Sequence, residues 1–160
     1  MDQLTIFRLF LFLHVLGAIV AFGPGFAAAI AGAMVAKEPQ HANFFARTQV
    51  AIGMKLVTPA AISMLITGVI MIGVMGYSTI IGGRQWLTVA VILYVIAIGY
   101  SIAVQAPAGR RLVALTETPP APGSPPPPEL PATAKKVRTG GIFLSTLVVI
   151  IVFLMVVKPF

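Results

Sequence analysis

Four long apolar stretches of this chain contain no carboxylate, and only the first of them contains a histidine, His14. Crossing a hydrocarbon layer roughly 30 Å thick takes about 20 apolar residues of helix. Backbone N–H and C=O groups cannot hydrogen-bond to water within lipid and must be paired inside the protein. With only four such segments, helices are the spanning structure that pairs them. The sequence therefore predicts an all-α integral membrane four-helix bundle, with residues 1–160 as one membrane domain. The predicted spans are Leu9–Val35, Leu56–Gly76, Trp86–Val104 and Gly140–Val157.

Composition supports the membrane class and narrows the partners. Hydrophobic residues make up 58% of the chain and charged residues 9%, whereas about a quarter of the residues of a soluble domain are charged. The net charge of +7 lies in the gaps between apolar stretches, so we interpret it as a topology signal and expect no nucleic-acid partner. Cysteine is absent, which excludes disulfides and thiolate metal sites.

The distribution of basic residues predicts the orientation. The connections Ala36–Lys55 and Gln105–Thr139 together hold eight lysines and arginines, and the opposite side holds three, Arg8, Arg84 and Lys158. By the positive-inside rule, both connections face the cytoplasm and both termini lie outside. We expect a multi-pass protein of the cell membrane.

Span 1 is longer than a bilayer requires, and the surplus coincides with Gly23-Pro24-Gly25. Pro24 cannot donate a hydrogen bond to the Val20 carbonyl, which predicts a kinked first helix.

Small residues recur every fourth position in span 1, at Gly17, Ala21, Gly25 and Ala29. This spacing lets helices approach closely. It fits packing within the chain and packing between two copies equally well.

The long cytoplasmic connection contains a proline-rich segment, Thr118–Pro131, which predicts an extended loop acting as a spacer. In the shorter connection, Ala42–Met54 sets Phe44 and Phe45 among polar residues. That pattern is typical of a short amphipathic helix at a membrane surface.

His14 is the main candidate site residue, because ionisable side chains within a membrane usually face the bundle interior. It lies about 9 Å inward from Arg8 along the helix. Matching depths across antiparallel spans places Thr67, Gly68 and Met71 of span 2 and Tyr94 of span 3 at that level.

Three roles for His14 stay open. A neutral imidazole bonded to Thr67 or Tyr94 would join helices. It could instead be an axial ligand of haem b, with Met71 and Tyr94 as further cofactor contacts. A copper site would use His14 with the thioethers of Met71 and Met75. The other histidine, His41, falls in the cytoplasmic connection, so a bis-histidine haem would need a second chain.

The sequence lacks the residues that several activities require. Proton-coupled transport needs a titrating group within the membrane. The four carboxylates lie outside the spans, which leaves His14 as the only candidate proton carrier. The chain has no glycine-rich phosphate loop, nucleophile elbow or zinc-protease helix. We therefore do not expect an enzyme.

Four segments carry a family resemblance: LFLHVLGAIVAFG, LVTPAAISMLITGVIMI, QWLTVAVILYVIAIGY and FLMVVKP. Together they resemble the small bacterial DUF2269 membrane proteins over all four spans, and that resemblance implies no established activity. The part LHVLGAIVAFG is also similar to the opening helix of CopD-type copper-resistance proteins and of the membrane protoporphyrinogen oxidase family. For His14 this similarity implies an association with metal or haem.

The sequence thus leaves three functional hypotheses. The first is a non-catalytic structural or accessory protein, homo-oligomeric or part of a larger membrane complex. The second is a haem- or copper-binding redox or metal-handling protein that uses His14. The third is a small-solute transporter or channel, which the lack of intramembrane carboxylates disfavours.

Overall fold

The computed structural model describes residues 2–74, 84–118 and 127–159, and every regular element in them is helical. Six α-helices follow one another within these described residues, with a short 3₁₀ turn, Pro39–His41, after the first. They are α1 (Gln3–Val35), α2 (Ala42–Ile52), α3 (Thr58–Val74), α4 (Gln85–Tyr100), α5 (Ala106–Glu117) and α6 (Glu129–Val157). The all-α fold class is confirmed.

Two π-helical turns join consecutive helices into longer rods. Gly53–Val57 connects α2 to α3, and Ser101–Gln105 connects α4 to α5. In the first turn, the Gly53 carbonyl accepts from the Thr58 backbone N–H and from the Thr58 hydroxyl at 2.8 Å. The Thr58 side chain thus gives the Gly53 carbonyl a second donor at the turn where the α-helical hydrogen-bond pattern is interrupted.

Four helical segments are long and apolar enough to cross a membrane: Gln3–Val35, Pro39–Val74, Gln85–Glu117 and Glu129–Val157. The third is 33 residues long, which at 1.5 Å per residue is about 50 Å against a hydrocarbon layer of roughly 30 Å. The helices therefore run beyond the apolar stretches, whose bounds stay predictions of where the bilayer lies. The orientation of the termini also stays a prediction.

The bundle is held together by α1 against α3 and α6, and by α6 against α4. Its main apolar cluster lies between α4 and α6, where Trp86 and Ala90 pack on Ile151 and Leu154. The Lys158 ammonium lies 5.5 Å from the centre of the Trp86 ring. Large apolar side chains elsewhere point outward, such as Ile30 and Val156 at 70% and 74% exposed. An apolar exterior is what a lipid solvent requires.

Helix α2 is the amphipathic helix expected in Ala42–Met54, and its partner is α5. The Asn43 side-chain amide donates to the Val113 carbonyl at 3.1 Å and to the Thr116 hydroxyl at 3.2 Å. Arg111 of α5 then pairs with Glu129 at the start of α6, with 2.6 Å between Nη2 and Oε2. These contacts gather the extensions of three spans into a cap at one end of the bundle.

Two sequence predictions meet the structure only in part. Helix α1 continues through Pro24 without a break, and the kink at that residue stays a prediction. Helix α6 begins at Glu129, so the last residues of the predicted proline-rich loop are helical, because proline is tolerated in a first turn. Residues 119–126 of that loop lie outside the described residues.

Candidate functional site

The imidazole of His14 lies between α1 and α3. Its Nδ1 atom is 3.0 Å from the Met64 carbonyl oxygen and 3.1 Å from the Thr67 hydroxyl oxygen. A carbonyl oxygen only accepts hydrogen bonds, so Nδ1 carries the proton in the neutral ring and Nε2 carries the lone pair. The side chain is half-buried. The predicted contact with Thr67 is therefore present.

The Thr67 hydroxyl is oriented to accept the hydrogen bond from His14 Nδ1. Its hydroxyl donates to the Ser63 carbonyl one turn earlier at 2.8 Å, which leaves an oxygen lone pair free to accept from His14. The residue is only 4% exposed. A buried hydroxyl needs such partners, because an unpaired polar group away from water is costly.

Gly68 provides the space for the ring. A Cβ atom at this position would lie 3.3 Å from His14 Cε1 and 3.7 Å from Nδ1. The imidazole thus rests directly on the backbone of α3, where a larger side chain would push it away.

The small residues of α1 make contacts within the chain. A Cβ on Gly17 would lie 2.8 Å from Met64 Cγ and 3.4 Å from the Ala60 carbonyl oxygen, so this glycine permits the close approach of α3. Ala21 is buried one turn later, and Gly25 faces Ser145 of α6. Intrachain packing accounts for these three positions.

Tyr94, a predicted neighbour of His14, binds elsewhere on α3. Its hydroxyl donates to the Ala61 carbonyl at 2.6 Å. Ala61 precedes Thr67 by nearly two turns, so Tyr94 and His14 contact different parts of the same helix.

The thioether candidates are less closely gathered. Met71 is half-buried on α3, one turn after Thr67, and Met75 lies outside the described residues. Met64 is buried, but it packs against Gly17. No group of three histidine, cysteine or carboxylate side chains able to hold a metal occurs in the part of the chain that the structure describes.

A second polar contact lies between the π turn of the third span and α6. The Gln105 side-chain amide donates to the Val137 carbonyl at 3.1 Å, and its Oε1 atom is buried without a partner among the described residues. Tyr100 packs edge-on against Phe143, with ring centres 4.8 Å apart. Gly140 accommodates both, since a Cβ there would collide with Gln105 Oε1 and lie 2.9 Å from the Tyr100 hydroxyl.

The sequence does not single out Gly140 as the residue that admits Tyr100 and Gln105. The available signal is the pair Gly140-Gly141 at the start of an apolar stretch. It does not say which of the two faces another helix. In the structure only Gly140 does.

The family model described as a predicted integral membrane protein, DUF2269, matches residues 8–159. The match extends over all four apolar stretches, so the resemblance seen in the sequence is confirmed. No curated protein and no solved structure matches the chain.

Proposed function

The chain belongs to the DUF2269 family of predicted integral membrane proteins, and from that premise we propose that it is a non-catalytic structural or accessory protein of the cell membrane. It would act as a homo-oligomer or as a small subunit of a larger membrane complex. The observation that supports this proposal is the pair of hydrogen bonds by which His14 joins α1 to α3, one to the Met64 carbonyl and one to the Thr67 hydroxyl.

Other polar side chains within the bundle are engaged in the same way. The Tyr94 hydroxyl binds the Ala61 carbonyl, and the Gln105 amide binds the Val137 carbonyl. Each of these contacts joins two helices by a side chain that donates to a backbone oxygen. Polar residues used in this way stabilise helix association in membranes. This pattern supports a structural role, because in all three residues the donor group is engaged in a contact between helices.

The test is purification of the full chain in a neutral detergent, followed by absorption spectroscopy, elemental analysis and native mass spectrometry. For a structural protein, we expect a colourless, metal-free preparation. The His14→Ala variant should unfold more easily and keep the mass and co-purifying proteins of the wild type. A Soret band or stoichiometric copper that disappears in His14→Ala would contradict the proposal.

One observation favours haem or copper binding as a second candidate. Histidine ligands of metals usually donate their other ring N–H to a carbonyl or carboxylate, and His14 Nδ1 has such a partner in Met64. The Nε2 lone pair would then be the ligand, and Met71, one turn after Thr67 on α3, would be the predicted thioether partner. Bound haem would supply one-electron chemistry, while Thr67 and Met64 would fix the orientation of the imidazole.

The donor set fits this candidate only in part. The Tyr94 hydroxyl already donates its hydrogen bond to the Ala61 carbonyl. His41 belongs to the 3₁₀ turn that follows the C-terminal end of α1. Between His14 and Val35, α1 rises about 32 Å, so His41 cannot be a second ligand on the same haem within one chain. The absorption spectrum tests for haem, and the elemental analysis tests for copper.

A further inference from the structure

The outer face of α1 has a shallow groove near the helix's C-terminal end. Its volume is about 450 Å³, and its lining residues are Ala29, Ile30, Ala33, Met34 and Lys37. The two alanines form a recessed row beside Ile30 and Met34, which stand out at 70% and 61% exposed. From Ala29 to the end of α1 at Val35, the helix rises about 9 Å, more than half of one leaflet of a hydrocarbon layer roughly 30 Å thick.

A lysine stands at the polar end of this groove. Lys37 is exposed two residues after α1 ends, and among the described residues it forms no ion pair. The neighbouring Glu38 turns its carboxylate toward His41, with 3.6 Å between Oε2 and Nε2. The Lys37 ammonium is therefore available to an anion, and the predicted end of span 1 at Val35 would place it next to the lipid headgroups.

The whole end of the bundle is positively charged. Its eight lysines and arginines face three glutamates, Glu38, Glu117 and Glu129, and Arg111 pairs with Glu129. Basic clusters next to membrane spans attract anionic lipids. Charge and shape thus coincide, because an apolar groove along the last turns of α1 ends at a cation within a positive field.

The same charge disfavours a second copy of the chain as the occupant. In a twofold-symmetric pair, a surface patch meets its own copy. Pairing through the Ala29 and Ala33 row would bring the two Lys37 side chains toward each other. Repulsion between the two Lys37 ammonium groups would oppose this contact between copies. The negative charge of a lipid phosphate would instead be attracted to Lys37.

We propose that this groove is a binding site for an anionic phospholipid, with one acyl chain along Ala29 and Ala33 and the phosphate against Lys37. The site is independent of His14, so it holds whichever role His14 has.

The proposal is tested with the full chain in neutral detergent, titrated with phosphatidylglycerol or with phosphatidylcholine of identical acyl chains and followed by native mass spectrometry. Wild type should bind phosphatidylglycerol more tightly. Lys37→Gln should weaken that binding about fivefold and weaken phosphatidylcholine binding less, because the choline ammonium already offsets the phosphate charge. The matched control Lys136→Gln removes an exposed charge from the same end and should keep the preference.

The groove itself is tested by Ala33→Leu, which should weaken both lipids. Ala27→Leu, an exposed alanine of the same helix outside the groove, should weaken neither. Thermal unfolding in the same detergent confirms that the variants are folded. Equal binding of the two lipids would overturn the proposal, as would an equal effect of Lys136→Gln. Loss of a dimer in Ala33→Leu, with lipid binding unchanged, would assign the groove to a second copy instead.

Discussion

The Tyr94 hydroxyl donates to the Ala61 carbonyl at 2.6 Å and thereby connects α4 to α3. Within the described residues these two helices pack far less closely than α1 with α3 or α4 with α6. One hydrogen bond therefore closes the side of the bundle where apolar packing contributes least.

Tyr94→Phe should lower the free energy of unfolding by about 0.6 kcal/mol, and by no more than about 1.7, the range measured for such bonds in membranes. Reversible unfolding in mixed detergent micelles gives the value. Tyr100→Phe is the matched control, because the Tyr100 hydroxyl makes no hydrogen bond among the described residues. An equal loss in both variants would mean that the Tyr94 bond adds nothing specific.

His14→Ala should cost about 1–2 kcal/mol of unfolding free energy, since it removes both hydrogen bonds between α1 and α3. Thr67→Val should cost less, because the bond to Met64 remains. In the double variant the two losses should fall short of additive, as expected for residues in direct contact. Full additivity would show that the imidazole does not use the Thr67 oxygen.

Gly140→Ala should destabilise the protein by about 1 kcal/mol. The added methyl displaces the Gln105 amide, whose flexible side chain can move only by giving up the Val137 carbonyl. Gly141→Ala is the adjacent control, because a Cβ there meets nothing within 4 Å. It should be neutral or stabilising by up to about 1 kcal/mol, since alanine is the better helix former. Identical effects of the two changes would contradict this packing.

We propose that both termini lie outside the cell, on the evidence of eight basic residues against three. A tag at the C-terminus should then be accessible in intact cells, and a tag within 119–126 only after permeabilisation. The reverse pattern would invert the topology. It would also move the lipid site to the other leaflet without changing its chemistry.

The apolar stretches were sufficient to predict four helical segments long enough to span a membrane. The depth of His14 indicated Thr67 or Tyr94 as its partner, and the structure has Thr67. Depth matching also placed Tyr94 near that level, yet Tyr94 contacts Ala61. Depth gives a height along the membrane normal, and the direction of a side chain depends on how each helix is rotated by packing. The hydrogen bond from Asn43 to Val113 could not be predicted from the sequence either, because it joins positions 70 residues apart in two polar connections.

The two π turns have a consequence for how relatives of this chain should be aligned. Each turn contains one residue more than an α-helical turn, so the helix faces on its two sides are offset by about 100°. Deleting one residue from 53–57 would remove that offset and rotate Asn43 away from Val113. Homologues with a single gap there should therefore lose the Asn43 contact.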